Sequence, residues 1–238
     1  MTGLLARRLS QASENAVAMW TALARARGDH VREHPAFTAI DGRRFRIMVR
    51  TDAPSGTDVG ELTEVADEMR RNGRTVVVED PFRVLDLRGI GMTARQLPVM
   101  AREPADVPDE PSVARIHTPA DLRKAEDIIV HGFPLEEYQP LEAGTVFPAE
   151  VRNQAFFLKD GLKDGEGACL TMADEEVGGV YWVTTKPEHR SKGVGRALMH
   201  AVLRHFDDRP VTLTASRSGK ALYDKLGFTT LGDADWWR

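Results

Sequence analysis

The sequence contains a single cysteine, Cys169, among its 238 residues. One thiol cannot form an internal disulfide bond, which excludes the small secreted domains that are held together by cysteine pairs. Cys169 lies in an apolar segment that predicts a strand. We therefore expect it to be a buried, small hydrophobic side chain and not a nucleophile.

Long apolar runs are also missing. No run approaches the roughly 18 residues that a membrane-spanning helix needs, and the apolar part of residues 1–8 is too short for a secretory signal. The 32 basic and 36 acidic side chains leave a formal net charge of −4, which disfavours nucleic acid as the main partner. We expect a cytoplasmic protein that binds no membrane. Its oligomeric state stays open, a homodimer included.

Residues 183–198 predict a strand, a tight turn with glycine, and a helix. Gly193 and Gly195 let the main chain bend and let a bulky anion come close to it. The first amides of the following helix have no partner inside that helix and point outward. Amides in this arrangement bind anions, so the segment predicts an anion site.

Residues 190–195 read Arg-x-x-Gly-x-Gly, and Lys192 and Arg196 add positive charge to the same turn. A diphosphate is the natural ligand for this pattern. The P-loop ending Gly-Lys-Ser/Thr is absent, and Arg190 stands where the dinucleotide fingerprint has its first glycine. The pattern instead resembles the pyrophosphate-binding turn of the GNAT superfamily, the acyl-CoA-dependent N-acyltransferases.

A second motif supports this resemblance. About thirty residues further on, residues 222–228 read Leu-Tyr-Asp-Lys-Leu-Gly-Phe, which is similar to the ending that the family places after its fifth strand. The predicted elements of residues 113–238 also follow the family order of strand, helix, three strands, helix, strand, helix, strand. The resemblance covers about half of the chain. It implies a GNAT-like α/β (α+β) fold, with a mixed, mostly antiparallel sheet flanked by helices.

The resemblance also implies a cofactor, acetyl-CoA, and a set of residues that bind it. In the family, the fourth strand splays from the fifth and its backbone pairs with the pantetheine arm, while amides of the turn hold the pyrophosphate. A backbone amide near Val183 would polarise the thioester carbonyl. Ser216 departs from the asparagine that many members carry at its position, which weakens its assignment. The implied cofactor-binding residues are Val183, Thr184, Thr185, Arg190, Ser191, Lys192, Gly193, Val194, Gly195, Arg196 and Ser216.

Tyr223 matches the tyrosine with which the family often protonates the coenzyme A thiolate. A phenol with a pKa near 10 suits a thiolate of about 8.5 only when the two groups lie close together. The alternative is a core tyrosine that packs beside Phe228. No general base is assigned, because Glu188 and His189 are expected at the phosphate end, away from the amine.

The acceptor pocket is expected from residues 131–148 and from the other domain. Glu136, Glu137, Glu142 and Tyr138 could attract a cationic amine there, although a solvated acidic loop is the alternative interpretation. No metal site is expected. Residues 30–34 read His-x-x-Glu-His, as in inverted zinc peptidases, but Gly28 and Pro35 leave too little room for a sustained helix. We interpret that segment as a polar loop.

Residues 104–112 have the composition of a linker, with three prolines in the stretch 102–112 and almost no apolar side chains. We therefore predict an N-terminal α/β domain over residues 1–103, the linker, and a GNAT acetyltransferase domain over residues 113–238. In the N-terminal domain, the predicted order of strand, helix, strand, Gly-x and strand echoes the C-terminal half. We hypothesise a smaller, degenerate GNAT-like copy. Its turn at residues 51–60 carries two aspartates and no arginine cluster, so no cofactor is expected there.

Together these patterns predict an N-acetyltransferase that moves an acetyl group from acetyl-CoA to a primary amine of a small molecule by direct attack. The alternative is an acyl-CoA-binding sensor or scaffold with weak or no turnover. Acetylation of a protein N-terminus or lysine stays open, because the sequence does not show whether the acceptor cleft is open.

Overall fold

The computed structural model describes residues 3–133, 135, 138–139, 142–148, 151, 155–160 and 165–238. Its helices and strands, in chain order, are α1 (Gly3–Arg27), β1 (His30–Glu33), β2 (Phe37–Asp41), β3 (Phe45–Val49), α2 (Gly56–Arg71), β4 (Val76–Asp80), β5 (Ala94–Arg102), β6 (Val113–Arg115), α3 (Pro119–Gly132), β7 (Ala155–Lys159), β8 (Gly167–Ala173), β9 (Gly178–Thr185), α4 (Val194–His205), β10 (Val211–Thr214), α5 (Lys220–Lys225) and β11 (Thr229–Trp237). Among the described residues, no helix combines the length and the apolar character that a membrane span requires.

Contacts between residues divide the chain into two units. The first comprises Met1–Met100, Thr214–Lys220 and Thr229–Arg238, and the second comprises Ala101–Leu213 and Ala221–Phe228. The chain crosses from the first unit to the second close to the predicted joint, and residues 103–112 form no helix or strand. Two segments of the predicted domain 113–238, Thr214–Lys220 and Thr229–Arg238, group with the first unit. The boundaries of the predicted domains, 1–103 and 113–238, stay a prediction.

The first unit is a sheet in the order β1-β2-β3-β4-β11-β5. β1, β2 and β3 run antiparallel, β3 and β4 run parallel, and β11 is antiparallel to β4. Its main core is formed by apolar side chains that alternate along β3 and β4, together with Leu62 of α2 and Trp237 of β11. A smaller cluster joins Val17 and Ala24 of α1 to Ile40 and Met48. Since successive strand residues point to opposite faces, α1 and α2 cover opposite faces of this sheet.

The second unit has the strand order β10-β9-β8-β7-β6. β6 to β9 run antiparallel, and β10 runs parallel to β9. α3 begins after Thr118, whose hydroxyl accepts a hydrogen bond from the Asp121 amide at 3.1 Å, with Pro119 in the first turn. α4 buries the apolar stripe that its helical period predicts, with Val194, Ala197, Leu198 and Val202 all buried.

The predicted fold class, a mixed and mostly antiparallel sheet flanked by helices, is confirmed. The two halves also share an order of elements: a helix, three antiparallel strands, a helix, and then a strand parallel to the third. This repetition is consistent with the hypothesis of a second, GNAT-like copy in the N-terminal half.

Three local predictions were wrong. Residues 30–34 are not a polar loop, because His30–Glu33 forms β1 and pairs with β2. The sequence hid this strand because it is largely exposed and carries no apolar alternation. The predicted turn at residues 51–60 ends earlier, since α2 begins at Gly56. Ser55 and Asp58 form a reciprocal capping box there.

The C-terminal strand is longer than predicted. The last strand of the predicted order covers residues 229–231, but β11 extends to Trp237 and lies between β4 and β5 of the first unit. Asp235, Trp236 and Trp237 are paired with β4. The partner of β11 could not be read from its sequence, because strand pairing depends on residues far away in the chain.

This pairing predicts that the first unit depends on the last residues of the chain. Trp237 is 5% exposed and lies in the main core of that unit, so W237A should lower the free energy of unfolding by about 3–5 kcal/mol. Urea unfolding measures the loss, and hydrogen exchange should be faster in β3 and β4. The matched variant W236A should lose less, because Trp236 is half-buried. Equal losses in the two variants would contradict the assignment.

Candidate functional site

The main chain between β9 and α4 makes a sharp bend. A short 3-10 turn, Pro187–His189, follows β9. Two residues beyond it have left-handed backbone angles, Ser191 with φ 61° and Gly193 with φ 85°. Where left-handed backbone angles alternate with ordinary ones, successive amide groups point into one concave site that can hold an anion. Glycine suits this conformation because it has no side chain to clash.

The first turn of α4 has unpaired amides. Gly193 is its N-cap, and no side chain of a described residue caps it. The first hydrogen bond back to Gly193 comes from the Ala197 amide, at 2.9 Å. The amides that precede Ala197 in the helix therefore point toward the turn and can donate to an anion.

Basic side chains surround the same turn. Arg190, Lys192 and Arg196 are all exposed, and their charges attract an anion to the amides. Gly195 also leaves little room for a side chain, because an added Cβ would lie 3.2 Å from Leu222 Cδ2 on α5. The structure thus brings together the predicted turn residues 190–196 at one helix end.

One acidic group near the turn, Glu166, is engaged with two basic side chains. His189 Nδ1 lies 3.9 Å from Glu166 Oε1, and Lys159 Nζ lies 3.5 Å from the other carboxylate oxygen of Glu166. Glu188 is exposed in the 3-10 turn. Both Glu188 and His189 lie in the 3-10 turn that precedes the α4 turn, and no general base is assigned.

β9 and β10 part soon after they meet. The register joins only Val211 to Gly178 and Thr212 to Gly179, although β9 continues to Thr185. On its other edge, β9 pairs with β8 from Gly178 to Thr185, with one interruption. The strands of this described pair therefore open toward the α4 turn, which is the splay that the resemblance implies.

Val183, Thr184 and Thr185 lie on the part of β9 beyond the last pair with β10. The Thr184 side chain is buried and its hydroxyl donates to the Trp182 carbonyl at 2.8 Å. An added Cβ on Gly132 of α3 would clash with Thr184 Cγ2, so α3 covers that side chain closely. These residues can contact a ligand in the splay through their backbone.

A β-bulge interrupts β9 at the predicted thioester position. Ala168 of β8 pairs with Thr184, and Leu170 pairs with Tyr181. Two residues of β9, Trp182 and Val183, therefore lie opposite one residue of β8, Cys169. Trp182 has a left-handed φ of 50°. A bulge disrupts the hydrogen-bond ladder and redirects backbone groups. It therefore allows an amide near Val183 to face a ligand instead of β8.

Tyr223 of α5 is 8% exposed and its ring packs edge-on against Phe228, with centroids 5.7 Å apart. Burial raises the pKa of its phenol well above the usual value, and the Cys169 thiol acts in the same direction. The phenol is therefore a neutral proton donor at physiological pH. Both the core role and the predicted role as acid are compatible with this environment.

Ser216 has a local role. Its hydroxyl accepts a hydrogen bond from the Gly219 amide at 3.1 Å and lies 3.2 Å from the Ser218 hydroxyl. Its carbonyl accepts from the Gly219 and Lys220 amides. These bonds shape the turn before α5, and cofactor binding by Ser216 stays a prediction.

The predicted acceptor loop is described in part. Glu142 is exposed and Tyr138 is buried at 9% exposure, whereas Glu136 and Glu137 lie outside the described residues. The sequence analysis missed Glu126 of α3, which is 1% exposed and binds three amides of this loop. A signal was present, because Glu126 falls on the apolar face of α3, one turn from Leu122 and Ile129.

The described residues contain no group of three or more His, Cys, Asp or Glu side chains that could hold a metal ion. Cys169 is fully buried, as predicted. Burial raises the pKa of its thiol to about 12, which leaves almost no reactive thiolate at neutral pH.

Residues 149–230, about a third of the chain, match the family model described as "Acetyltransferase (GNAT) domain". No curated protein matches the chain by sequence. Among solved structures, a GCN5-related N-acetyltransferase from Kribbella flavida is 19% identical and has a TM-score of 0.65, with 95% of this chain and 94% of that chain covered.

Two further solved structures are similar. A putative GNAT-family acetyltransferase from Novosphingobium aromaticivorans is 16% identical with a TM-score of 0.57, covering 87% of this chain and 89% of its own. A GCN5-related N-acetyltransferase from Sphaerobacter thermophilus is 17% identical with a TM-score of 0.56, covering 85% and 76%. At these identities the structures show the fold, and the domain match supports an acetyltransferase enzyme. The matched residues lie within the predicted C-terminal domain, and the match confirms the predicted resemblance to GNAT acetyltransferases there.

Burial of Cys169 predicts that the native protein does not react with thiol reagents. With a pKa of about 12 the thiol stays protonated at pH 8, and its burial excludes the reagent. Labelling with a chromogenic disulfide at pH 8 should be negligible in the native state and should reach one thiol per chain in guanidinium chloride. Fast labelling of the native protein would contradict this environment.

Proposed function

Starting from the GNAT acetyltransferase domain in the C-terminal half, we propose that this protein transfers an acetyl group from acetyl-CoA to a primary amine of a small molecule. The observation that carries the proposal is the combination found at one end of β9. There a strand edge opened by the parting of β10 leads, through the 3-10 turn, to a helix N-terminus that no side chain of the described residues caps.

The residues present fit coenzyme A. Amides of residues 191–196 and the charges of Arg190, Lys192 and Arg196 suit its diphosphate. The backbone of residues 183–185 suits the amide groups of its pantetheine arm, because β10 does not pair with that part of β9. When bound, acetyl-CoA would supply an acetyl group that is activated as a thioester.

The remaining chemistry belongs to the protein. A main-chain amide at the bulge near Val183 polarises the carbonyl, and preorganised donors of this kind strongly favour the attack. The amine attacks directly, and no acetyl group is carried on a side chain. Cys169 cannot serve as a carrier, since it is buried and protonated.

Tyr223 holds a proton at its phenol oxygen and gives it to the departing thiolate. Its raised pKa keeps the phenol protonated up to pH 10 and beyond. The acceptor arrives as an ammonium ion and loses one proton to solvent water before it attacks. The second proton, which the nitrogen loses once the amide bond forms, returns the Tyr223 phenol to its neutral state. Glu142 and Tyr138 of the loop, with Glu136 and Glu137 outside the described residues, are the groups proposed to attract that cation.

Loss of a basic side chain at the turn should weaken coenzyme A binding. R196A should raise the dissociation constant about tenfold, the size of one charge-assisted hydrogen bond. Added salt should reduce the difference between the variant and the wild type. Calorimetric titration measures both effects.

The matched control is R204A, which removes an exposed arginine from the last turn of the same helix. It should leave coenzyme A affinity unchanged. Equal losses in the two variants would assign the effect to α4 stability and not to the turn.

Removal of the Tyr223 hydroxyl should separate rate from affinity. Y223F keeps the ring that packs against Phe228, so coenzyme A should bind within about twofold of wild type, whereas loss of a general acid lowers kcat by about 100-fold or more. Thiol release from acetyl-CoA with a panel of amines measures the rate. In the wild type, the Tyr223 phenol should cause no fall in kcat between pH 7 and pH 10.

Two results would contradict the proposal. An unchanged kcat in Y223F would show that Tyr223 is a core residue only. Tight coenzyme A binding by the wild type without thiol release with any amine of the panel would favour the acyl-CoA sensor over the enzyme.

A further inference from the structure

Glu126 is a carboxylate buried in the apolar face of α3. Its side chain accepts hydrogen bonds from the Gly144 amide at 2.7 Å, the Val146 amide at 2.8 Å and the Phe147 amide at 3.0 Å. A buried charge is costly unless hydrogen bonds compensate it. Three amide donors provide that compensation, so Glu126 and residues 144–147 hold each other in place.

These bonds fix the position of an aromatic ring. Phe147 is 1% exposed and packs against Phe156 of β7, with ring centroids 4.9 Å apart. It also packs against Trp182, with centroids 5.6 Å apart. Trp182 is the left-handed residue of the β9 bulge. A continuous set of contacts therefore joins the Glu126 carboxylate to the bulge.

Trp182 stands at a defined place along the proposed cofactor path. The diphosphate site lies beyond the C-terminal end of β9, and the arm runs from there toward lower residue numbers. Trp182 lies three residue steps before Thr185, which is about 10 Å of strand. On this path the acyl end of the cofactor would meet the bulge, where Trp182 and its neighbour Tyr181 carry the large side chains. Of these two, Trp182 is the one whose ring packs against Phe147.

We propose that Trp182, backed by Phe147, closes the acyl end of the site and limits the acyl group to a short chain, and that Glu126 is the positioning residue that holds this wall. The inference rests on the proposed function, because it assumes that coenzyme A lies along β9. It adds a specificity, since the family fold alone does not decide which acyl chain is accepted.

The test compares affinities for acetyl-CoA, butyryl-CoA and hexanoyl-CoA by calorimetry, which needs no knowledge of the acceptor amine. The wild type should bind acetyl-CoA at least tenfold more tightly than hexanoyl-CoA. W182A should lose most of this preference, because removal of the indole opens the space that the longer chain needs. F147L should lose part of it.

The role of Glu126 has its own pair of variants. E126Q replaces an oxygen that accepts an amide proton by an NH₂ group, so the turn loosens and the preference should fall about threefold or more. D127N changes the neighbouring, exposed carboxylate of α3 and should leave the preference unchanged. A merely structural role for Glu126 would lower the melting temperature without altering the ratio of the affinities.

The outcomes separate the inference from the proposed function. No heat with any acyl-CoA in the wild type would overturn the cofactor assignment itself. Coenzyme A binding with no preference for short chains, or with a preference that W182A leaves unchanged, would overturn only the acyl wall. If W182A does not fold, F147L is compared with the wild type. An unchanged preference for short acyl chains in F147L would then overturn the proposed role of Trp182 and Phe147.

Discussion

The proposed function depends on one departure from regular pairing, the early separation of β10 from β9. Two residue pairs hold these parallel strands together, and then the ladder stops. Backbone groups without partners are costly when they are buried, so an open strand edge beside a sheet needs a ligand or water. The α4 turn at the end of this edge offers a second set of amides in the same condition.

In the first unit, the corresponding segment β3-α2-β4 keeps its parallel strands paired and caps the first turn of its helix. Its parallel pair, β3 and β4, stays in register from Phe45 and Val76 through Met48 and Glu79. The helix between them, α2, satisfies its own first turn, since Asp58 accepts from the Ser55 amide at 2.8 Å and Ser55 accepts from the Asp58 amide at 3.1 Å. The carboxylate of Asp58 occupies the place where α4 presents amides and basic side chains.

The sequence allowed the C-terminal unit to be predicted well because its signals are local. The glycine turn and the apolar stripe of α4 each depend on residues within a few positions of one another. β1 and the partner of β11 could not be found in this way, since an exposed edge strand has no apolar period and pairing joins residues far apart in the chain. Ser216 shows a further limit, because its hydroxyl bonds to the adjacent turn.

In the candidate site, too, local signals could be predicted from the sequence and contacts between distant elements could not. Residues 190–196 were predicted from a motif, and the structure brings them to one helix end. The bulge at Trp182 and the buried Glu126 were missed, since both depend on packing between elements. Their physical effect is to fix the wall beside the amide near Val183 and so to shape the space for the acyl group.

Amide chemical shifts in a titration with coenzyme A test the central claim most directly. The account predicts that amides of residues 191–196 and 183–185 shift on binding, whereas the amides of Ser55 and Asp58, which are already paired within the α2 cap, do not. Pantetheine, which lacks the diphosphate, should shift residues 183–185 and leave residues 191–196 in place. A titration that leaves the α4 turn unchanged, or that shifts the α2 cap instead, would contradict the account.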